Sequence, residues 1–204
     1  MSFAEARHLL ARTGFGSPSP SEIDRIIPIS YEAAVDNILD GVLKKALTPP
    51  PKFLNKPSDH PTVKNMDSKT KKAFQMRGRK ERKMIKYWWI QEMLTTQSPF
   101  TERMVLFWHN HFVSEISKVQ YATWAHEQNA IFRKYAIGNF KNLLLDVSMG
   151  PAMMKYLDTS KNKKNKPNEN FAREVLELFT LGEGQVYTEK DIRESARAYT
   201  GWQI

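Results

Sequence analysis

Two histidines, His109 and His111, stand two residues apart in the aromatic segment WHNHF (Trp108–Phe112). Neutral imidazole binds Zn, Fe, Cu or Ni, and it can also act as a general acid or base near neutral pH. On an α-helix the two side chains would point about 200° apart and could not share one metal ion. They would converge only if the segment ends a helix or forms an irregular turn. The alternative is structural, with one histidine hydrogen-bonded in the core and the other exposed.

A second set of reactive side chains lies in PNENFAREVLELFTLG (Pro167–Gly182). Carboxylates, amides and a guanidinium crowd the predicted start of a helix: Asn168, Glu169, Asn170, Arg173, Glu174 and Glu177. The carboxylates suit general acid–base work or a metal site, and the arginine and the two asparagines suit an anionic substrate. Arg173 is also four residues from Glu169 and from Glu177, so the same pattern fits ordinary surface ion pairs.

Several classes of site are excluded by what the sequence lacks. There is no cysteine, which excludes disulfides, thiolate nucleophiles, Cys-ligated zinc and iron–sulfur clusters. No HExxH, GxGxxG, GxxxxGK[ST] or GxSxG motif occurs, which argues against zincins, the two phosphate cradles and hydrolases with a serine elbow. The Glu-x-x-His pattern that di-iron bundles need twice occurs once, as Glu5–His8.

Four segments of the chain resemble a known family. They are HLLARTGFG (His8–Gly16), MVLFWHNHF (Met104–Phe112), PNENFAREVLELFTLG and ARAYTGW (Ala196–Trp202). Together they resemble the large bacterial family called domain of unknown function 1800, in which TLFWHNHF-like, PNENFARELLELFTLG-like and ARAxTGW segments follow in this order. The resemblance spans nearly the whole chain. It implies no reaction, because the activity of that family is unsettled.

The resemblance also bears on the two ends of the chain. In that family the ARAxTGW segment lies near the middle of a longer protein, so we expect a truncated product, a fragment or a shortened member. A site built from both halves of the family pattern would then be incomplete. The first residues show no signal peptide, although members of the family are often exported, so the compartment stays open. No apolar run reaches the roughly 18–20 residues that a membrane span needs.

Positive charge is concentrated in two places. The formal net charge is +9, from 31 Lys and Arg against 22 Asp and Glu. Lys64–Lys86 is strongly basic, and Lys161–Lys166 forms a second basic cluster. Each can be a solvated surface, or each can contact an acidic partner, an anionic polymer or nucleic acid, with nucleic acid the less favoured.

Apolar periodicity and capping residues predict an all-α fold, an irregular multi-helix bundle with a long basic helix and a proline-rich arm. We expect an N-terminal unit of short helices over 1–47, a proline-rich linker or arm over 48–66, where His60 would be an exposed histidine, and a main helical domain over 67–204. The predicted helices are Ala4–Thr13, Ser19–Ile27, Tyr31–Leu43, Ser68–Gln97, a helix from Pro99, Lys118–Ala136, Asn139–Ser148, Ala152–Leu157, a helix capped by Asn168 and ended by Gly182, and one from Thr188.

Two functions follow from these observations. The first is an enzyme of unknown reaction whose catalytic residues are His109, His111, Glu169, Arg173, Glu174 and Glu177, with Asn168, Asn170 and Arg173 binding substrate. A divalent metal is possible there, with His109, His111 and Glu174 as its candidate ligands. The second is a non-catalytic helical interaction module whose basic helix contacts an acidic partner, an anionic polymer or nucleic acid.

Overall fold

The computed structural model describes residues 1–55, 66–184 and 186–202. These residues form eleven α-helices: α1 (Phe3–Thr13), α2 (Pro20–Ile26), α3 (Tyr31–Asp40), α4 (Ser68–Thr95), α5 (Pro99–His111), α6 (Ile116–Val119), α7 (Ala122–Lys134), α8 (Phe140–Met149), α9 (Pro151–Tyr156), α10 (Asn170–Glu174) and α11 (Glu189–Ala198). A π-helix (Val175–Thr180) and two short 3₁₀ helices (Lys52–Asn55 and Thr159–Lys161) join them. The described residues contain no β-strand, which confirms the all-α fold. None of the described helices combines the length and the apolar character needed to cross a membrane.

Side-chain caps fix where several helices begin. Ser19 and Thr188 each accept a hydrogen bond from the third residue of their helix, whose carboxylate reaches back to the cap backbone. These reciprocal bonds satisfy amide groups that a helix start leaves without partners. Ser30 and Asn139 accept in the same way before α3 and α8. The helix starts predicted at these four residues are therefore confirmed.

Helix α4 is the longest element, with 28 residues and a calculated length of about 42 Å at 1.5 Å per residue. Asp67 caps it by accepting from the amides of Lys69 and Thr70. The helix continues through Gly78, although a glycine inside a helix costs about 1 kcal/mol relative to alanine. It ends two residues earlier than predicted, at Thr95.

Three other predicted helices also differ from the structure. The segment Lys118–Ala136 is divided at Gln120, whose φ of 73° is incompatible with a right-handed helix. The helix from Tyr31 ends at Asp40 rather than Leu43. The segment after Glu174 is a π-helix rather than an α-helix, since the Leu181 N–H donates to the Leu176 carbonyl five residues back.

The main core gathers aromatic and aliphatic side chains from α5, α7, α8, α9, α10 and the π-helix. Its buried members are Val105, Phe112, Phe132, Leu143, Val147, Met153, Leu157, Phe171, Val175 and Phe179. Two of the four segments that resemble the family, those containing WHNHF and PNENFARE, therefore meet across one hydrophobic core.

The chain that follows α3 is fastened to α4 and α5 by hydrogen bonds. The Leu43 N–H donates to Thr101 Oγ1 over 2.9 Å. The amides of Leu47 and Thr48 donate to the buried Glu92 carboxylate over 2.8 and 2.6 Å. The rest of the predicted arm, residues 56–65 with His60, lies outside the described residues. The division at residues 48 and 67 stays a prediction.

Candidate functional site

The two histidines are positioned by the last turn of α5. This helix runs through His111 and is capped by Phe112, so WHNHF is helical where the histidines stand. The two rings accordingly have different neighbours. His109 packs on Trp89 of α4 and Phe132 of α7, whereas His111 contacts Phe179 of the π-helix.

His111 connects α5 to the π-helix. Its Nε2 lies 3.1 Å from the carbonyl oxygen of Phe179. A carbonyl can only accept, so Nε2 carries the hydrogen and, in the neutral ring, Nδ1 carries the free lone pair. Because Phe179 is in the last turn of the π-helix, its carbonyl has no helical partner to supply that hydrogen bond. The ring is half-buried among Trp108, Phe112 and Phe140.

His109 is a half-buried ring held by aromatic contacts. Its centroid lies 5.1 Å from that of Trp89 and 6.2 Å from that of Phe132. It forms no hydrogen bond with the residues that the structure describes. Burial lowers the pKa of His109 below its usual value, because the charged imidazolium would lose hydration there.

We expect protonation of His109 to destabilise the fold in mild acid. Its pKa is lower in the folded state, so the unfolded state binds more protons as the pH falls below about 6.5 and the free energy of unfolding decreases. Burial also lowers the pKa of His126, which acts in the same direction. The raised pKa of Glu174 acts in the opposite direction at lower pH.

Urea denaturation of the wild type and of His109→Gln between about pH 7.5 and 5.5 tests this expectation, because the pKa of a histidine in the unfolded chain, about 6.5, lies within that range. The variant should lose less stability on acidification than the wild type. His8→Gln, at an exposed histidine of α1, is the matched control and should follow the wild type. If the free energy of unfolding falls equally with pH in the wild type and in His109→Gln, the expectation is contradicted.

Arg173 is the centre of a carboxylate cluster at the surface. It lies within 2.8 Å of Glu177, 3.4 Å of Glu169 and 2.8 Å of Glu189 on α11. The two pairs at four-residue spacing are those that the sequence predicts. Glu189 and Glu177 raise the pKa of the guanidinium further above its usual range. With three carboxylates around it, Arg173 joins α10, the π-helix and α11 and has little capacity left for an anionic substrate.

Glu174 stands apart from that cluster. It is half-buried and forms no hydrogen bond or ion pair with any residue that the structure describes. Burial raises the pKa of Glu174, and the neighbouring charge of Glu177 raises it further. A carboxyl of this kind holds its proton to a higher pH than an exposed glutamate does.

The two asparagines are engaged with backbone groups. Asn168 Nδ2 donates to the Asp158 carbonyl over 3.2 Å, and Asn170 Nδ2 donates to the Leu157 carbonyl over 3.1 Å. The predicted helix cap at Asn168 is wrong by one position, since Glu169 is the N-cap and Asn168 Oδ1 accepts from the Asn170 N–H. Gly182, with φ of 95°, ends the segment as predicted. The asparagines hold the loop after α9 against α10.

A buried ion pair joins α5 and α7 and was not predicted from the sequence. Arg133 donates through Nε and Nη2 to the two oxygens of Glu102, each over 2.8 Å, and the side chains are 2% and 1% exposed. Asn129 and Trp89 complete the hydrogen bonds of the pair. The two charges are 31 residues apart and of types that are mostly exposed, so no local pattern could have indicated them.

The described residues bring Arg173 together with Glu169 and Glu177, whereas the two histidines have other neighbours. His109 faces α4 and α7, His111 faces the π-helix, and Arg173 faces α11. No group of three or more histidines, aspartates and glutamates in the described ranges is placed to hold a metal ion. The catalytic and substrate-binding roles, and the candidate metal ligands, stay predictions. Elemental analysis of the wild type beside His109→Ala and Glu174→Ala would test whether the chain binds a metal through these residues.

Comparison with known proteins identifies the family of the chain. A model of the family described as "Protein of unknown function (DUF1800)" matches residues 8–204. Neither the curated proteins nor the solved structures contain a match to this chain. The matched range covers essentially the whole chain and includes all four segments on which the resemblance was noted. The chain belongs to the DUF1800 family of proteins of unknown function.

Proposed function

We propose that the chain is a non-catalytic helical interaction module that binds an anionic macromolecular partner through α4. The observation that carries this proposal is the charge of that helix. From Ser68 to Lys86 it contains nine lysines and arginines and a single acid, Glu81. Eight of the nine cations are exposed to solvent, and the ninth, Arg82, is half-buried.

Most of the lysines and arginines of α4 have no ion-pair partner in the described part of the chain and are free to bind a ligand. Arg77 lies 3.7 Å from Glu81, and Arg82 donates to the Gln120 carbonyl over 2.6 Å. The other seven cations form no ion pair within the described part of the chain. Their positive potential is therefore not neutralised by neighbouring carboxylates, as it would be on a surface with both signs interspersed.

Part of the positive charge of α4 points directly away from the chain, because one side of the helix is packed on it. Positions 74, 78, 81, 85, 88 and 92, at steps of three and four residues, are half-buried or buried. Positions 69, 72, 76, 79, 83, 87, 90 and 94 follow the opposite side at the same steps, and each is exposed. We call this second set the outward stripe. Four of its first five members are lysine or arginine.

The geometry favours the interaction module over the enzyme. The side chains predicted for catalysis are divided among three surroundings, and Arg173 and both asparagines already have partners within the chain. Four cations of α4, in contrast, share the open side of a single helix, namely Lys69, Lys72, Arg79 and Lys83.

Salt dependence of binding to a polyanion tests the proposal. A fluorescent polyglutamate peptide should bind the purified chain, and its affinity should fall about tenfold or more between about 50 and 200 mM salt, because exposed charges are screened over a Debye length of about 8–10 Å. Circular dichroism at each salt concentration controls for changes in fold. Absence of binding at low salt, or an affinity that salt leaves unchanged, would overturn the proposal.

A further inference from the structure

The outward stripe changes character along its length. Its first half carries four cations, Lys69, Lys72, Arg79 and Lys83, and one apolar residue, Met76, whereas its second half carries Tyr87, Ile90 and Leu94. From Lys69 to Leu94 the stripe is about 38 Å long at 1.5 Å per residue. A charged surface and an apolar surface therefore follow one another on the same side of one helix.

The apolar half is uncovered. Tyr87, Ile90 and Leu94 are 58%, 49% and 76% exposed. They are spaced as i, i+3 and i+7, so they form a continuous row. At the junction, Lys83 Nζ lies 5.4 Å from the centroid of the Tyr87 ring, which places the last cation of the row directly against its first apolar side chain.

A nucleic acid or a simple polyanion matches only half of this surface. Phosphates would neutralise the cations, but they would leave Ile90 and Leu94 in water. A membrane surface fits no better, because a helix lying in the interface has its apolar and cationic groups on opposite sides. On α4 both are on one side, and the opposite side is packed against the chain.

A second copy of the chain also fits poorly. Two stripes side by side in parallel would place cation against cation, which is unfavourable. In an antiparallel pair each cationic half would cover the apolar half of the other copy, so neither the charges nor the aliphatic side chains would find a complementary partner.

We propose that the ligand of α4 is a polypeptide segment with an acidic half and an apolar half, lying along the outward stripe. This inference rests on the proposed function and makes the partner a protein. Acidic side chains complement Lys69, Lys72, Arg79 and Lys83, and apolar side chains cover Tyr87, Ile90 and Leu94. The order of charge and apolar contact fixes the register of the segment on the helix, as anchor positions do when a helix lies in a groove.

Two designed helical peptides of about 25 residues, the length of the stripe, distinguish this ligand from a simple polyanion. The first, called the segregated peptide, has glutamates along one half of one helical face and leucines along the other half of the same face. The other has the same composition in scrambled order. We expect the segregated peptide to bind at least about tenfold more tightly than the scrambled one. Equal affinities for the two peptides would overturn the inference.

The double variant Ile90→Ser/Leu94→Ser tests the apolar half. It should weaken the segregated peptide about tenfold and leave polyglutamate binding unchanged. Leu178→Ser/Leu181→Ser is the matched control, since it removes two exposed leucines of the π-helix region, 62% and 48% exposed, and it should bind both ligands like the wild type. If Ile90→Ser/Leu94→Ser binds the segregated peptide normally, the apolar half is not used.

Three further measurements can overturn the inference. Tighter binding to a single-stranded oligonucleotide than to the segregated peptide would make the partner a nucleic acid, and tighter binding to vesicles of phosphatidylserine would make it a membrane. Concentration-dependent self-association that Ile90→Ser/Leu94→Ser abolishes would make it a second copy. In each case polyglutamate binding shows which proposal has failed. If polyglutamate still binds, the proposed function stands and only the polypeptide ligand is overturned. If polyglutamate does not bind, both proposals are overturned.

Discussion

Replacing Arg133 with methionine is expected to lower the free energy of unfolding by about 3–5 kcal/mol. The guanidinium is 2% exposed and bonds both oxygens of the Glu102 carboxylate, itself 1% exposed. Methionine fills much of the volume but leaves Glu102 as a buried charge whose remaining partner is the Trp89 indole N–H. The cost is therefore dominated by an uncompensated buried carboxylate rather than by lost packing.

Two further variants separate this cause from packing. Arg133→Met/Glu102→Gln removes both charges and keeps an acceptor for Trp89 Nε1, so it should recover a large part of the loss. Lys134→Met is the matched control, because Lys134 is the next residue and pairs with Asp146 at an exposed site, where an ion pair contributes about 0–1 kcal/mol. Urea denaturation measures all three. If Arg133→Met is no more destabilising than Lys134→Met, the buried pair does not stabilise the fold.

The helices could be predicted because their signals are local. Ser19, Ser30, Asn139 and Thr188 cap helices in the structure, and each accepts a hydrogen bond within a few residues. The same locality explains why the pairs of Arg173 with Glu169 and Glu177 were foreseen, since residues four apart on a helix are neighbours.

Long-range partners had no such signal. Glu189 reaches Arg173 from 16 residues away, and Glu102 reaches Arg133 from 31. Whether a carboxylate becomes buried depends on how the helices pack, and sequence spacing carries no record of that packing. The ion pairs predicted from the sequence were therefore those of PNENFARE. Among the described residues, the most deeply buried ion pair instead lies between α5 and α7.

The π-helix was missed for a related reason. Phe171, Val175 and Phe179 recur at four-residue steps, which fits an α-helical stripe as well as a wider turn. In the structure the wider turn begins at Val175, and the Phe179 carbonyl in its last turn bonds His111. π-Helical turns are frequent at functional sites, yet here the partner of the turn is a side chain of the chain itself. His111 thus has a structural task, which reduces the support for a catalytic one.

Glu92 shows how the basic helix is tied to the rest of the chain. Its buried carboxylate accepts from the amides of Leu47 and Thr48, while Trp88 Nε1 donates to the Thr48 carbonyl over 3.0 Å. These bonds fix the inner side of α4 at its C-terminal half. The N-terminal half, in contrast, contributes only half-buried positions at 74, 78 and 81 to the packed side. The cationic part of α4 is therefore the more exposed part.

Reversing three charges of the outward stripe is expected to weaken polyglutamate binding about 100-fold. Lys72→Glu/Arg79→Glu/Lys83→Glu converts three attractions into repulsions, and each attraction between exposed charges is worth about 1 kcal/mol at contact distance in water. Glutamate is a good helix former, so α4 should persist, which circular dichroism can verify. Fluorescence anisotropy at low salt measures the loss of affinity.

A lower net charge would by itself weaken the binding of a polyanion. A control must therefore reverse the same number of charges elsewhere in the chain. Lys163→Glu/Lys164→Glu/Lys166→Glu makes the same reversal in the second basic cluster, where all three lysines are exposed. Each reversal replaces a positive charge with a negative one and lowers the net charge by two, so both variants have a net charge of +3, compared with +9 for the wild type. We expect the control to lose only the small part of the affinity that depends on overall charge.

Equal losses of affinity in the two variants would show that the polyanion responds to the net charge of the chain rather than to α4. Selective loss in the stripe variant would make the outward side of α4 the binding surface, since the two proteins would differ only in where the charges were reversed.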